Sequence, residues 1–139
     1  MKTEAFGSIQ SGKKATLYIL ENKNHTVVKV TDFGATLVSV LFADKDGVMK
    51  DMVLGYDDAA SYEKGTSCFG ATIGRNGNRI KDARFTIDSK EWVIEANENN
   101  NSLHSGKNGF NHLMWEMKES GDNYVTFYHY SPQEEQGFP

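Results

Sequence analysis

Cysteine is nearly absent from this chain, since Cys68 is the one cysteine among 139 residues. A single thiol excludes an intramolecular disulfide and any zinc site built on a cysteine cluster, and its apolar neighbours predict a small buried side chain. Runs rich in Lys and Arg are also missing, and the formal net charge is −4. These two features argue against a nucleic-acid partner and against binding to an anionic membrane surface.

Long hydrophobic runs are missing too. The first residues contain no apolar segment of signal-peptide length, and no stretch is long enough for a membrane span, so we expect a cytoplasmic protein. There is no glycine-rich phosphate loop of the GxxxxGK type and no internal repeat. His104 and His112 flank a glycine-rich loop with no carboxylate or cysteine nearby, so we expect no metal site.

Helical periodicity is scarce, and what the chain does contain is short runs of Val, Ile, Thr, Phe and Tyr separated by Gly, Asn, Asp and Lys. This pattern predicts an all-β fold, and the length suits one domain over residues 1–139. The predicted strands cover residues 14–20, 26–31, 35–42, 49–54, 80–87, 91–95, 113–118 and 124–130. Residues 37–42 are predicted to be covered on both faces, Asp46-Gly47 to form a hairpin turn, and residues 57–63 to form one helical turn capped by Asp57 or Asp58.

Residues 69–110 hold the clusters that folding alone explains least well. Two glycines in residues 69–74 lead into a polar segment that contains Asn78 and Arg79. A predicted hairpin and an asparagine-rich loop at 97–101 then return the chain to His104. An amide, a guanidinium and an imidazole would thus share one end of a sheet, where their donors and acceptors suit a ligand rich in hydroxyls.

Two plainer interpretations of these residues remain open at this point. Asn78 and Arg79 could cap a loop, with the arginine paired to a surface carboxylate. His104 could be a hydrogen-bonded structural histidine without a role in binding.

The order of motifs resembles the aldose 1-epimerase (galactose mutarotase) family. That family carries a GRxxNRI segment, then LHGG, then GF…W, and here the matching residues are 70–75 with 78–80, then 101–106, then Gly109-Phe110 and Trp115. Residues 33–39 and 51–56 resemble two further stretches of the family, so the resemblance covers essentially the whole chain. Ser105 departs from the pattern because it stands where LHGG has its first glycine, and Asn111-His112 replaces a more usual acidic-basic pair.

This resemblance implies part of a large antiparallel β-sandwich, the galactose mutarotase-like supersandwich. It also implies an enzyme that interconverts the α and β anomers of an aldohexose by acid/base ring opening, without a cofactor. Asn78, Arg79 and His104 match residues that bind the aldose substrate in this family, and Arg75 is a further candidate.

The resemblance also points to what this chain lacks. The family's general-acid histidine and general-base glutamate lie downstream of an acidic segment that here corresponds to residues 134–139. We therefore expect a truncated, amino-terminal portion that is inactive alone, with no catalytic residue assigned, and we interpret Glu134 and Glu135 as solvated side chains. Unpaired strand edges would favour self-association or a second chain that completes the sandwich.

Three alternatives complete the predictions. The chain could be a non-catalytic carbohydrate-binding or scaffold domain with a mutarotase-like fold. It could also be a sandwich domain of a glycoside hydrolase, although we find no suitably spaced carboxylate pair. The tyrosine row in residues 124–130 could stack on sugar rings, but packing between sheets is the interpretation we favour.

Overall fold

The computed structural model describes residues 1–139, which form two compact units. The first comprises Met1–Ala71 and Met114–His129, and the second comprises Thr72–Leu113 and Tyr130–Pro139. In chain order the elements are β1 (Lys2–Ser8), β2 (Lys14–Glu21), β3 (Val27–Thr31), β4 (Thr36–Ala43), β5 (Met49–Asp51), α1 (Ala59–Lys64), β6 (Arg79–Ile80), β7 (Arg84–Ile87), β8 (Lys90–Val93), β9 (Ser102–Leu103), β10 (Glu116–Ser120) and β11 (Val125–Tyr128).

Every strand pair is antiparallel, and helix is limited to α1 and three short 3₁₀ turns. The predicted all-β, antiparallel fold class is therefore confirmed. No helix has the length and apolar character that a membrane crossing requires. The single domain over residues 1–139 stays a prediction.

The first unit is organised by a five-stranded sheet in which each strand pairs with its neighbour in sequence, from β1 to β5, and by the separate β10–β11 hairpin. The β4–β5 turn shows why the chain reverses locally. The Asp44 carboxylate accepts hydrogen bonds from the Asp46 and Val48 amides at 2.9 and 3.0 Å, and Gly47 takes a φ of +78°. A left-handed glycine in a short loop is typical of hairpin turns, and the predicted Asp46-Gly47 turn is confirmed.

Helix α1 closes the core of the first unit. The Asp58 carboxylate accepts a hydrogen bond from the Ser61 amide at 2.8 Å and so caps the helix, as predicted. Tyr62 is 8% exposed, and its ring centroid lies 6.0 Å from that of Phe6 and 5.1 Å from that of Tyr56. Tyr62 is therefore a packing residue of this core. The buried core consists of Phe6, Ala15, Leu17, Phe33, Val38, Ala59 and Tyr62.

One carboxylate lies inside the first unit. Asp32 is 8% exposed, and its Oδ1 accepts hydrogen bonds from the Thr16 amide at 2.9 Å and the Thr31 hydroxyl at 3.5 Å. Burial raises the pKa of Asp32 above its ordinary value, because desolvation disfavours the charged form.

The second unit contains the β7–β8 hairpin and the short β6–β9 pair. The hairpin turn consists of Asp88 and Ser89, which have φ values of +49° and +64°, as a type I′ turn requires. The core of this unit comprises Ala83, Ile94 and Phe138, and Phe85 packs against it with its ring centroid 5.7 Å from that of Phe138.

Several predicted strand bounds are wrong. β1 was not predicted, β5 ends at Asp51 instead of continuing to residue 54, and β10 begins only at Glu116. The predicted strand over 80–87 is interrupted by a 3₁₀ turn at Lys81–Ala83, where Asp82 and Ala83 have φ values of +55° and +50°. A left-handed backbone breaks the strand ladder, and non-glycine residues give little warning of it.

Three burial predictions are also wrong. Phe42 is 54% exposed because the end of β4 extends beyond the core, so this strand is not covered on both faces along its whole length. Cys68 is only half-buried. The packing interpretation of the tyrosine row fails as well, since Tyr124 and Tyr128 are 49% and 44% exposed while Phe127 packs on the other face of β11. The His129 ring packs against Trp115, with the two ring centroids 5.5 Å apart.

Candidate functional site

Asn78, Arg79 and His104 meet at one end of the β6–β9 pair. Arg79 is paired with Leu103 in the strand register, so the residues next to them, Asn78 and His104, also lie side by side. The His104 amide donates to the Asn78 carbonyl at 3.1 Å, and the Asn78 amide donates to His104 Nδ1 at 3.1 Å. The predicted proximity of these three residues is confirmed. Their role in binding substrate stays a prediction.

The hydrogen bond to His104 fixes the tautomer of the neutral imidazole. A backbone amide can only donate, so Nδ1 must accept and the ring proton must be on Nε2. His104 is half-buried, and Asn78 and Arg79 are exposed. The Nε2–H group is therefore the donor that this histidine can offer to a ligand.

Arg79 forms a two-bond ion pair with Glu98, a partner that the sequence did not identify. Its Nε donates to Glu98 Oε2 at 2.5 Å and its Nη2 donates to Glu98 Oε1 at 2.7 Å, while Nη1 lies 3.4 Å from Asn78 Oδ1. The hydrogen bond from Arg79 lowers the pKa of Glu98, and the same bond raises the pKa of Arg79. The surface-carboxylate alternative raised from the sequence is thus realised, and Glu98 joins the site.

Asn97 holds the strand that carries His104. Its Oδ1 accepts a hydrogen bond from the Leu103 amide at 2.7 Å, and its Nδ2 donates to the Leu103 carbonyl at 2.9 Å. One side-chain amide thereby satisfies both backbone groups of the residue that precedes His104. The asparagine-rich composition of residues 97–101 signalled a loop, but not which asparagine makes this contact.

Ser105 fastens the other side of His104. Its Oγ accepts a hydrogen bond from the Asn76 amide at 2.7 Å and donates to the Asn76 carbonyl at 3.2 Å. Ser105 is 2% exposed and has a φ of +69°, a left-handed conformation that favours glycine. The serine at this glycine position of the motif is thus accommodated by two hydrogen bonds that connect the loops on either side of the site.

Arg75 is engaged elsewhere in the second unit. Its Nε donates to Ser131 Oγ at 2.7 Å, and its terminal nitrogens donate to the carbonyls of Ser131, Pro132 and Pro139. These contacts tie residues 131–139 to the segment that follows Gly74. The suggestion that Arg75 also binds substrate stays a prediction.

The site therefore offers neutral and charged hydrogen-bonding groups that converge from three short segments. The donors and acceptors are the side-chain amide of Asn78, the Arg79 guanidinium, the Glu98 carboxylate and the Nε2–H group of His104. Hydroxyl groups can both donate and accept, so such a mixed set suits a polyol. The structure contains no group of three or more His, Cys, Asp or Glu side chains arranged to hold a metal ion.

A family model described as aldose 1-epimerase matches residues 16–139. The chain belongs to the aldose 1-epimerase family, whose enzymes are isomerases.

Curated relatives show how much of a family member this chain represents. It is 34% identical over 134 residues to a galactose mutarotase from Rattus norvegicus, which covers 96% of this chain and 39% of the relative. It is also 34% identical over 128 residues to an aldose 1-epimerase from Escherichia coli strain K12, covering 92% of this chain and 37% of the relative. The chain thus spans about two fifths of the length of these relatives.

Solved structures support the same fold. A GalM/aldose epimerase homologue from C. elegans matches with a TM-score of 0.84 and 32% identity over 88% of this chain and 38% of that chain. A galactose 1-epimerase from Lactobacillus acidophilus matches with a TM-score of 0.78 and 26% identity over 96% and 40%, respectively. The predicted galactose mutarotase-like fold class is confirmed.

Proposed function

We propose that this chain supplies the aldose-binding residues of an aldose 1-epimerase, the activity that interconverts the α and β anomers of an aldohexose. The observation that carries this proposal is the hydrogen-bonded group of Asn78, Arg79 and His104, which is open to solvent at the end of the β6–β9 pair. Family membership gives this group its expected ligand. The galactose mutarotase and aldose 1-epimerase names of the relatives support an aldose in particular.

The reaction requires proton transfers rather than a cofactor. A base removes the proton of the C1 hydroxyl, an acid protonates the ring oxygen, and the ring recloses on the other face after rotation about the C1–C2 bond. In this proposal Asn78 and Arg79 hold sugar hydroxyls, and the Nε2–H group of His104 donates to a sugar oxygen. The general base and general acid have no assigned counterpart in this chain, so we expect the 139 residues to bind an aldose but to be inactive alone.

Binding can be tested by NMR titration of the chain with D-galactose and D-glucose. We expect saturable binding at millimolar concentrations, and a loss of affinity of about tenfold or more in the Arg79→Gln and His104→Ala variants. Matched controls are Arg84→Gln, which removes another arginine paired with a glutamate, and His25→Ala, which removes an exposed loop histidine. Equal affinities in the site variants and the controls would refute the proposed site.

Catalysis is tested separately by following anomer exchange of the same sugars by polarimetry. Exchange at the spontaneous rate, together with saturable binding, is the expected result. Fast exchange catalysed by the 139 residues would show that an acid and a base lie within them, contrary to the proposal. A non-catalytic carbohydrate-binding domain would also bind sugar saturably. Anomer exchange by a longer protein that contains this sequence would therefore distinguish an aldose 1-epimerase from such a domain.

We also propose that the first unit associates with another polypeptide, either a second copy or a chain that completes the sheet. β5 is an edge strand of three residues, and near it Phe42, Val48, Met52 and Leu54 are 54%, 55%, 63% and 72% exposed. Exposed apolar groups beside an unpaired strand edge favour association. Light scattering should detect oligomers that the Leu54→Asp variant weakens, and a wild-type monomer that binds no hydrophobic dye would contradict the proposal.

A further inference from the structure

The charge of Arg79 is neutralised within the site by Glu98. The two charge-assisted bonds, from Nε and Nη2, have donor–acceptor distances of 2.5 and 2.7 Å, the bidentate geometry in which a guanidinium best recognises a carboxylate. With Nη1 directed at Asn78 Oδ1, three of the five N–H groups of Arg79 are occupied. One N–H group on each terminal nitrogen remains for a ligand.

Glu98 is presented by an ordered turn rather than by a freely moving loop. The Glu98 amide donates to the Asn101 carbonyl at 3.2 Å, and the Asn101 amide donates back to the Glu98 carbonyl at 2.9 Å. The preceding residue, Asn97, is fixed by its two hydrogen bonds to Leu103. Because the backbone on both sides is held, the carboxylate lies next to Arg79 before any ligand arrives, and its side chain is only 33% exposed.

We propose that Glu98 determines specificity at this site by selecting neutral aldoses over anionic sugars such as uronic acids and sugar phosphates. The inference rests on the proposed aldose-binding function. An unpaired guanidinium is a strong receptor for carboxylates and phosphates. Here Glu98 already occupies the bidentate side of the Arg79 guanidinium. An anionic ligand must either displace the Glu98 carboxylate or bind next to it, and both displacement and charge repulsion weaken binding.

A neutral sugar does not meet this obstacle. Its hydroxyls can accept from the two remaining N–H groups of Arg79 and donate to Glu98, whose oxygens have lone pairs beyond those used by the arginine. The ion pair therefore stays intact while the sugar binds. Glu98 is a contact residue for neutral ligands and a repulsive one for anions, which is how selective sites commonly reject a competitor.

The test compares D-galactose with D-galacturonate, which differ at C6 by a hydroxymethyl group and a carboxylate. The affinities of the wild-type chain and the Glu98→Gln variant are measured by NMR titration at low ionic strength. We expect the wild type to favour galactose by about tenfold or more, and the variant to bind galacturonate about tenfold more tightly than the wild type, the equivalent of one surface charge interaction. Because Glu98 also accepts hydrogen bonds from the hydroxyls of a neutral sugar, the variant should bind galactose no more tightly than the wild type does, and the galactose-to-galacturonate ratio should fall by about tenfold or more.

The control variant is Glu91→Gln, which removes the carboxylate paired with Arg84 at 3.3 Å and should leave the galactose-to-galacturonate ratio unchanged. The ¹⁵N shift of Arg79 Nε reports directly that Glu98→Gln has released the guanidinium in a folded chain. If the wild type binds galactose and the variant shows the released guanidinium but an unchanged ratio, the specificity inference is wrong and the proposed function stands. If the wild type binds neither sugar, the proposed function fails and this inference fails with it.

Discussion

Removal of the Ser105 hydroxyl tests the geometry of the site most directly, because this one group makes both hydrogen bonds to Asn76. Ser105→Ala leaves the Asn76 amide and carbonyl without these partners in a place where Ser105 itself is 2% exposed. Each unsatisfied buried group costs about 1–3 kcal/mol. Since Asn76 is only half-buried, water can recover part of this, and we expect a loss of about 1–2 kcal/mol in the free energy of unfolding.

Ser105→Gly separates the hydrogen bonds from the backbone conformation. It removes the same hydroxyl but relieves the left-handed φ of +69°, which costs about 1–2 kcal/mol for a residue with a Cβ atom. The glycine variant should therefore be about 1 kcal/mol more stable than the alanine variant, even though glycine is usually the more destabilising residue.

Urea unfolding followed by tryptophan fluorescence measures the difference, because Trp92 lies in the same unit as Ser105. The midpoint should fall in the order wild type, Ser105→Gly, Ser105→Ala, with unchanged denaturant dependence. The ¹⁵N shifts of His104 should report weaker retention of the Nε2–H tautomer in both variants, because the loop that presents the ring is released on one side. If the alanine variant is as stable as the glycine variant, the left-handed conformation at residue 105 does not destabilise the fold as we expect.

Three further predictions concern other parts of the chain. Asp32→Asn should be more stable than the wild type at pH 7 and should lose that advantage at pH 3. The pKa of Asp32 is raised, so the fold loses stability as the pH rises through that pKa and the buried carboxylate becomes charged. Urea unfolding at both pH values measures the difference. Gly70→Ala should lower the free energy of unfolding by more than about 3 kcal/mol, since φ is +60° and the new Cβ would lie 2.0 Å from a backbone carbonyl oxygen. Gly47→Ala, where φ is +78° and the space is open, should lower it by only about 1 kcal/mol, and thermal unfolding measures both variants. Asn97→Asp keeps the acceptor for the Leu103 amide but loses the donor to the Leu103 carbonyl, so it should lower the free energy of unfolding by about 1–3 kcal/mol at pH 7. The difference from the wild type should shrink below pH 4, where the protonated carboxyl can donate again.

The parts of the fold that could be predicted from the sequence are those with local causes. The β4–β5 turn follows from a short loop with glycine, and the N-cap of α1 from an aspartate placed three residues before a backbone donor. β1 was missed because six of its seven residues are exposed, so it carries no buried alternation. Pairing with β2, a contact that no local pattern encodes, makes it a strand.

For the site, the predicted hairpin indicated which residues would meet but not how they would be held. Asn78 and His104 come together through the β6–β9 pair, as expected from the predicted hairpin and asparagine-rich loop that return the chain to His104. The partnerships of Glu98 and Ser105 depend on loop backbone conformations, and left-handed non-glycine residues leave no clear trace in sequence. Resemblance to the LHGG motif did mark Ser105 as unusual, and that departure was the one available signal.

The left-handed residues of the site explain why side-chain contacts, rather than strand pairing, have to hold it. Asn78, His104 and Ser105 have φ values of +65°, +54° and +69°, and β6 and β9 contribute only two residues each. So short a ladder cannot offset about 1–2 kcal/mol for each left-handed residue with a Cβ atom. The hydrogen bonds from Asn97 to Leu103, from Ser105 to Asn76, and between Asn78 and His104 supply the compensation. A site held this way is ordered before its ligand binds, which lowers the entropic cost of recognising a small, weakly bound sugar.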